Sequence, residues 1–335
     1  MSNIKDVARV TGLSISTISK YINGGNVLEE NRILIENAIH TLDFKVNQAA
    51  RSLKTSKTMT VGALLPSLSV SFFSNMFSEI EEHLSREGYS MIVCSYNGDP
   101  EQEVQKLKYL AEGKVDGIIL VPERLPHERA NAIREIRERK VPLVLVDRFI
   151  PGLEYDRILV DNSGISYDAV EQLVVKRHRR IGIMMGPQDI STAYERMTGY
   201  RRVLADYSIP LDPALMLMGD YSYESGYRMF YEFMNMPEPP TALFATNCDM
   251  TLGAVTAAYE RNYRIPRDIS FIGFDEVQLT RVINPPITIV VQPTALIAKM
   301  AAETVLQRMR EDYTDFPVIA RLKGELLLRE SVAAI

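Results

Sequence analysis

Beginning near residue 59, short apolar runs alternate with longer amphipathic segments, and this alternation leaves few folds open to the chain. Runs that are apolar at nearly every position indicate strands buried on both faces, as in a parallel sheet covered by helices. The intervening segments, such as 75–87 and 101–112, have the periodicity of helices packed on a sheet. The predicted strands cover residues 60–65, 90–96, 117–121, 142–147, 157–161, 181–186, 242–246, 269–275 and 287–292. So many strands fit two doubly wound parallel sheets better than one, which predicts an α/β body with two lobes.

Polar and aromatic side chains stand directly after the predicted strands. Ligands of parallel sheets bind in the crevice at the carboxyl ends of the strands. Carboxylate and guanidinium groups can each bind two adjacent hydroxyls, and aromatic faces cover the apolar side of a sugar ring, so a polyhydroxylated ligand is predicted. The candidates that follow strands are Phe72, Phe73, Asp147, Arg148, Asp161, Asn162, Asn247, Asp275 and Gln292. Two more are Arg196, early in the helix after the strand over 181–186, and Tyr221, which follows Gly219 and Asp220. In the competing interpretation, Asp147 and Asp275 cap helices and Arg196 pairs with an acid.

The first 45 residues have a helical pattern instead. Ala8, Gly12 and Ile18 have the spacing of a helix-turn-helix unit: a small residue at a steep helix crossing, a glycine free to adopt positive φ, and an apolar anchor. Ser14 is a suitable N-cap for the second helix, over 15–22. A third helix is predicted from the helical spacing of Ile35, Ala38, Ile39 and Leu42.

Charge is distributed unevenly along the chain. The net charge is -5, but residues 1–58 hold 8 Lys or Arg and 5 Asp or Glu, whereas the remainder holds 30 and 38. The second helix carries Lys20 and no acid, which suits a groove lined with phosphates. These features favour a DNA-binding head on an acidic body. The competing interpretation is a generic three-helix bundle with a solvated polar face.

Residues 4–23, IKDVARVTGLSISTISKYIN, resemble the N-terminus of the lac-repressor/galactose-repressor family of bacterial transcription regulators, and residues 47–53, NQAARSL, resemble its hinge. The resemblance spans nearly the whole chain. It implies a helix-turn-helix domain over 1–46, a hinge helix and linker over 47–58, and an effector-binding and dimerisation domain over 59–335. The last would have two lobes like those of periplasmic sugar-binding proteins, one from about 59–161 and 291–321 and the other from about 162–290 and 322–335.

The same resemblance implies roles for individual residues. The implied DNA-binding residues are Ile4, Ser14, Ile15, Ser16, Thr17, Lys20, Asn23, Asn47, Ala50, Leu53 and Lys54. The implied effector-binding residues are Phe72, Phe73, Asp147, Arg148, Arg196, Tyr221, Asn247 and Asp275. Two positions depart from the family pattern: Val46 stands where many members have proline, and Cys248 stands where many have aspartate after the asparagine.

The length and the charge of the hinge segment also support a role in DNA binding. A helix of about eight residues is too short to be stable alone in water. Residues 47–58 carry Arg51, Lys54 and Lys57 but no acid. We therefore expect the segment to fold when DNA neutralises it, with Leu53 as a wedge in the minor groove. A plain linker is the competing interpretation.

The sequence lacks the motifs that are typical of several other function classes. The sequence has no dinucleotide-binding G-x-G-x-x-G after its first strand, no P-loop motif and no Cys/His metal spacing, so we predict no enzyme activity, cofactor or metal. The two cysteines, Cys94 and Cys248, do not imply a disulfide framework. No apolar run reaches the length of a membrane span and the first residues lack a signal-peptide core, so a cytoplasmic location without membrane association is expected.

Two alternatives concern the body. A solute-binding transport protein would share the two lobes but should carry a signal peptide and lack the head. A regulator whose body responds to a partner protein would keep the head. The preferred interpretation is a homodimer that binds a two-fold symmetric operator in double-stranded DNA and a sugar-like effector, whose binding changes the fit of two hinges to that operator.

Overall fold

The computed structural model describes residues 3–22, 25–44, 57–123 and 127–335. The chain divides into two compact units, Met1–Thr58 and Met59–Ile335. We call the first unit the head and the second the body, and each is described by itself.

The head contains three short helices around one small core. Their bounds are Ile4–Thr11 (α1), Ile15–Ile22 (α2) and Glu29–Thr41 (α3). Val7, Ile18, Ile35 and Ala38 are buried between them, as expected of the apolar anchors. Gly12 follows α1 with a φ of 69°, and its N–H donates a hydrogen bond back to α1. The predicted helices and the left-handed turn glycine are therefore confirmed.

The first lobe of the body is a parallel sheet covered by helices on both faces. Its strands are Thr60–Leu65 (β1), Ser90–Ser95 (β2), Gly117–Leu120 (β3), Leu143–Val146 (β4), Asp156–Val160 (β5) and Ile319–Leu322 (β11), in the order β11-β5-β4-β3-β1-β2. Its helices are Ser71–Arg86 (α4), Pro100–Ala111 (α5), His127–Glu138 (α6) and Thr294–Met309 (α12). β3 and β4 are buried along their whole length, which explains their continuous apolar sequences.

The second lobe repeats this topology. Its strands are Ile181–Met185 (β6), Met216–Met218 (β7), Ala242–Ala245 (β8), Ser270–Phe274 (β9), Thr288–Val291 (β10) and Glu325–Leu327 (β12), in the order β12-β10-β9-β8-β6-β7. Its helices are Asn162–Val175 (α7), Ser191–Asp206 (α8), Tyr223–Met234 (α9), Cys248–Glu260 (α10) and the short Gln278–Val282 (α11), with a 3-10 turn at Pro213–Leu215. β12 pairs antiparallel with β10. The chain therefore crosses between the lobes three times, after β5, after β10 and after β11.

Each of the nine predicted strands has a counterpart, but β7, β11 and β12 were not predicted. All three are short edge strands with partly exposed residues, so they lack the continuous apolar sequence of a central strand. Two expected lobe boundaries also differ slightly. Val291 still belongs to β10 of the second lobe and Leu322 to β11 of the first, so each boundary lies one residue later than expected.

The helices of the described ranges pack on sheets or on one another. None of them is both long enough and apolar enough to span a membrane.

Candidate functional site

A cavity of about 410 Å³ lies between the two lobes of the body, at the carboxyl ends of the strands. Both sheets contribute loops to its wall, as expected for this type of fold. The structure brings together the eight residues that the resemblance implied as effector-binding, which are Phe72, Phe73, Asp147, Arg148, Arg196, Tyr221, Asn247 and Asp275, and Gln292 lines the cavity with them. Their action as ligand contacts remains a prediction. The other two strand-end candidates are not part of the wall, because Asp161 caps α7 and Asn162 accepts a hydrogen bond from Arg196.

Asp147 and Asp275 occupy corresponding positions in the two lobes. Asp147 follows β4 with a φ of 63°, and Asp275 follows β9 with a φ of 64°. Their backbone N–H groups donate to the carbonyls of Ile158 and Val290 over 3.0 and 2.9 Å. This left-handed conformation costs a non-glycine residue roughly 1–2 kcal/mol, and such strain often marks ligand sites.

The competing interpretation of these aspartates as helix caps is wrong. The helix that follows Asp147 among the described residues begins after Asp161, whose side chain caps it. The helix after Asp275 begins after Val277 and has no side-chain cap. Both carboxylates therefore point to a role in the cavity wall.

Two buried side-chain oxygens in the cavity wall can each accept a hydrogen bond from a ligand. Asp147 Oδ1 is buried with no partner among the described residues, and so is Gln292 Oε1. The side-chain amide of Gln292 donates to Asp275 Oδ1 over 2.6 Å. Burial raises the pKa of Asp147, although Arg148 and Arg196 oppose the rise. Burial likewise raises the pKa of Asp275 to about 6, against the opposing effects of Arg196 and Gln292.

Arg196 is fixed in place by neutral groups. Its Nε donates to Asn162 Oδ1 over 2.8 Å, and a terminal nitrogen donates to the Thr246 carbonyl over 2.5 Å. The guanidinium also stacks 3.7 Å from the centre of the Phe274 ring. Two of its five N–H groups are thus used, which leaves others for a ligand. The alternative in which Arg196 pairs with an acid finds no support in these contacts.

Arg148 lies on the first-lobe side of the cavity. Its terminal nitrogen is 3.1 Å from Glu123, and its Nε is 3.5 Å from Asp147. Its guanidinium lies over the Phe73 ring at 5.8 Å, and that ring meets Phe72 edge-on at 5.2 Å. Glu123 was not predicted, although it stands just beyond β3, where a strand-end search could have found it.

Tyr221 and Asn247 form the second-lobe side. Tyr221 has a φ of 69°, and its carbonyl accepts a 2.9 Å hydrogen bond from the Asn247 side chain. The Asn247 oxygen caps α10 by accepting from Met250 N–H. Asn247 therefore shapes the cavity through its own hydrogen bonds as well as lining it. Burial raises the pKa of the neighbouring Cys248 thiol to about 12, which disfavours a thiolate nucleophile.

Further residues of the wall were not predicted as ligand contacts. They include Ser67, Val70, Asn97, Asp220 and Ser222, and also Ile190 and Thr192 beside the start of α8. Asn97 and Tyr221 follow the corresponding edge strands β2 and β7, and both have positive φ. The repeated topology of the lobes is therefore the signal that could have identified Asn97.

The exposed face of α2 is the candidate DNA-binding surface of the head. Ser14, Ile15, Ser16 and Lys20 are exposed, and Thr17 is half-buried. The Ser14 hydroxyl accepts a 3.1 Å hydrogen bond from Thr17 N–H, which confirms its predicted position as a cap.

Ile4 differs from the other predicted DNA contacts. Its side chain is half-buried and packs against the core of the head, so it is less available to DNA than the exposed side chains of α2. Five predicted contacts lie outside the described residues, namely Asn23, Asn47, Ala50, Leu53 and Lys54.

Two family models match the chain. Residues 3–47 match the model described as bacterial regulatory proteins, lacI family. Residues 58–323 match the model described as periplasmic binding proteins and sugar binding domain of the LacI family. Residues 48–57 lie between the two matches, and the second match begins at the division between head and body.

Several curated proteins are similar over essentially their full length. The ribose operon repressor of Haemophilus influenzae is 31% identical over 336 residues, covering 100% of both chains. The repressor PurR of Vibrio atlanticus is 32% identical over 93% of both chains. The repressor CytR of Escherichia coli is 29% identical, covering 100% of this chain and 97% of its own. These relatives are transcriptional repressors rather than enzymes.

Solved structures share the fold. A lac repressor dimer bound to operator and the anti-inducer ONPF has a TM-score of 0.88 at 24% identity, covering 99% of each chain. The CelR–cellobiose complex has a TM-score of 0.75 at 27% identity, covering 99% of this chain and 100% of its own. A regulator from Enterococcus faecium with bound ribose has a TM-score of 0.74 at 25% identity, covering 82% of this chain and 99% of its own.

Proposed function

The chain belongs to the lacI family of bacterial regulatory proteins, and we propose that it is a repressor whose operator affinity is controlled by a sugar bound between the lobes of its body. The observation that carries the proposal is the cavity, in which hydrogen-bonding groups from both lobes converge beside aromatic rings. A ligand that contacts both lobes can favour one lobe arrangement over another, which is the requirement for allosteric control.

The chemistry of the wall favours an uncharged ligand rich in hydroxyl groups. Asp147 and Asp275 present carboxylate oxygens from opposite lobes, and Phe72 and Phe73 offer apolar surface. Hydroxyls can donate to the carboxylates and accept from Arg196, whereas an anionic ligand would be repelled by both aspartates. Ribose is the first sugar to test, because a ribose operon repressor is a full-length relative and a ribose-bound regulator shares the fold.

The head supplies the proposed DNA contacts. Ile15, Ser16 and Lys20 project from the exposed face of α2, in the helix that enters the major groove in helix-turn-helix proteins. We propose that the protein acts as a homodimer on a two-fold symmetric operator, and the lac repressor named above is likewise a dimer bound to its operator. Two heads would then contact two half-sites about one helical turn or a multiple of it apart.

The test is an operator-binding titration with a panel of sugars. The operator is first selected from a random duplex library by the full-length protein. Binding is then followed by fluorescence anisotropy with ribose, other pentoses, hexoses and disaccharides, and direct sugar binding by calorimetry. Asp147→Ala should lose sugar binding, whereas Asp206→Ala, a change on the exposed surface of α8, should bind sugar like the wild type.

We expect one sugar class to shift the operator affinity of the wild type. If a selected operator is bound but no sugar changes that binding or gives a calorimetric signal, the sugar-controlled assignment is wrong. The regulator controlled by a partner protein would then be the better interpretation. If no operator is selected at all, the assignment of the head fails instead.

A further inference from the structure

Two contacts connect the lobes just outside the cavity. Arg321 of β11, in the first lobe, lies 2.8 Å from Glu195 of α8, in the second. The Phe149 N–H of the first lobe donates to the Ser191 hydroxyl at the start of α8 over 3.3 Å. Neither contact belongs to the cavity wall. We call Phe149, Ser191, Glu195 and Arg321 the interlobe latch.

Arginine side chains join these contacts into one cluster. The guanidinium of Arg321 lies over the Phe149 ring at 5.8 Å, and that of Arg157 lies over the same ring at 5.9 Å. Glu195 is the less exposed partner of the ion pair, at 18% against 44% for Arg321. An isolated surface pair contributes little to stability, but a carboxylate that is largely enclosed, facing an arginine that also stacks on an aromatic ring, is better ordered.

The latch shares its backbone with the cavity wall. Phe149 directly follows Arg148, Ser191 precedes Thr192, and Glu195 precedes Arg196, and each of these neighbours lines the cavity. Arg321 stands beside the third crossing between the lobes, after β11. A change in the angle between the lobes would therefore separate the latch residues and the facing cavity walls together.

We propose that the interlobe latch holds the lobes in the arrangement that binds the effector, and so sets effector affinity without contacting the effector. The inference rests on the proposed function, because it assigns regulation to the same cavity. In the latched structure both Asp147 and Asp275 line one cavity, so this arrangement is the one competent to bind a ligand across both lobes. The apparent dissociation constant equals the intrinsic one divided by the fraction of protein in the competent arrangement. Weakening the latch lowers that fraction and therefore the affinity.

Charge reversal and charge exchange test the latch. Glu195→Arg and Arg321→Glu each place like charges against each other across the lobes, and the double exchange restores an opposite pair. We expect each reversal to weaken sugar affinity about fivefold, and the exchange to restore it to within about twofold. The matched control is Arg202 and Asp206, an ion pair on the same helix whose side chains both belong to the second lobe. Reversal at either of these two positions should leave sugar affinity unchanged.

A second measurement needs no ligand. Spin labels at the exposed positions Gln105 on α5 and Glu232 on α9, in a Cys94→Ser, Cys248→Ser background, report the distance between the lobes by pulsed electron resonance. We expect the reversals to broaden or shift the distance distribution and the exchange to restore it. The neutral variants Glu195→Gln and Arg321→Gln should give smaller changes in the same direction, and they serve if a reversal fails to fold.

The outcomes separate the latch from the proposed function. If the wild type binds sugar but the latch variants leave both the distance and the affinity unchanged, the latch is wrong and the function stands. If the exchange fails to restore what the reversals change, the pair does not act across the lobes and the latch is also wrong. If no sugar binds to the wild type while the reversals still alter the distance, the sugar assignment fails and the latch stands.

Discussion

Asp275 combines two unfavourable features in one residue. Its backbone is in the left-handed region, and its carboxyl group is buried in the cavity wall. This burial raises the pKa of the carboxyl group to about 6. A residue that costs free energy in the free protein is typical of a ligand site, where the ligand supplies the missing interactions. Asparagine tolerates the left-handed region and keeps a side-chain oxygen for Gln292, but it removes the buried charge.

We therefore expect Asp275→Asn to stabilise the protein at neutral pH while weakening effector binding. The folded pKa of about 6 exceeds the ordinary value of 3.8, so the folded state binds more protons between these values and stability falls as pH rises through that window. The variant should melt about 2–4 °C above the wild type at pH 7.5, and the difference should shrink towards pH 4.5. Calorimetric melting curves across this range test the prediction, and a lower melting temperature at pH 7.5 would contradict it.

Substitution of Lys20 is the most direct test of the assignment of DNA binding to the head. Its side chain is exposed on α2, so Lys20→Ala should leave the melting temperature nearly unchanged. We expect it to weaken specific operator binding by roughly 1–3 kcal/mol, as the loss of a base-edge or phosphate contact would. Anisotropy titrations at physiological salt measure this, with Lys5→Ala, an exposed lysine on α1, as the comparison. Unchanged operator affinity would remove α2 from the recognition role.

At the scale of elements, the turn between α1 and α2 depends on the backbone of Gly12. Its φ is 69°, and a Cβ built there would meet nothing within 4 Å, so the cost of a side chain is conformational rather than steric crowding. We expect Gly12→Ala to destabilise the head by about 1 kcal/mol and Gly12→Asn by less, because asparagine adopts the left-handed region more readily. Amide exchange of α1 and α2 gives the measurement. Equal effects of alanine and asparagine would show that some other property of the glycine is required.

The elements themselves were largely predictable because central parallel strands are apolar on both faces. β1, β3 and β9 appear in the sequence as continuous apolar runs, whereas the edge strand β7 has only three residues and is partly exposed. The cavity residues were predictable for a related reason, since parallel strands place their carboxyl ends at one edge. Contacts between distant segments carry no local signal. Glu195 and Arg321 are an example, because their pairing depends on how two separate lobes face each other.

At the scale of the whole molecule, the lobes are two copies of one topology with a cavity between them. Asp147 and Asp275 follow corresponding strands, so a ligand that reaches both is held by equivalent positions of both lobes. The affinity of such a ligand depends on the angle between the lobes, and by linkage the binding of the ligand changes that angle. A change in ligand concentration can therefore change the angle between the two lobes of the body.

In the proposed function, the segment over 47–58 conveys that change to the DNA, because it joins the three helices of the head to the body. It carries three basic residues, no acid and one isolated leucine, Leu53. We expect Leu53→Ala to weaken specific operator binding more than binding to unrelated DNA, because only a bent, specific complex offers a minor-groove site for the side chain. Lys57→Ala, which removes a charge and keeps the leucine, should weaken both kinds of binding alike and reduce their salt dependence.

Amide exchange supplies the independent check on this coupling. Residues 47–56 should exchange rapidly in the free protein and slowly on the operator, because a helix of this length gains its stability from the DNA. With Leu53→Ala the slow exchange on operator should be lost while α1 and α2 stay protected. Protection of 47–56 in the free protein would show that the segment is already folded, and the coupling of effector to operator would then require a rigid connection rather than a folding step.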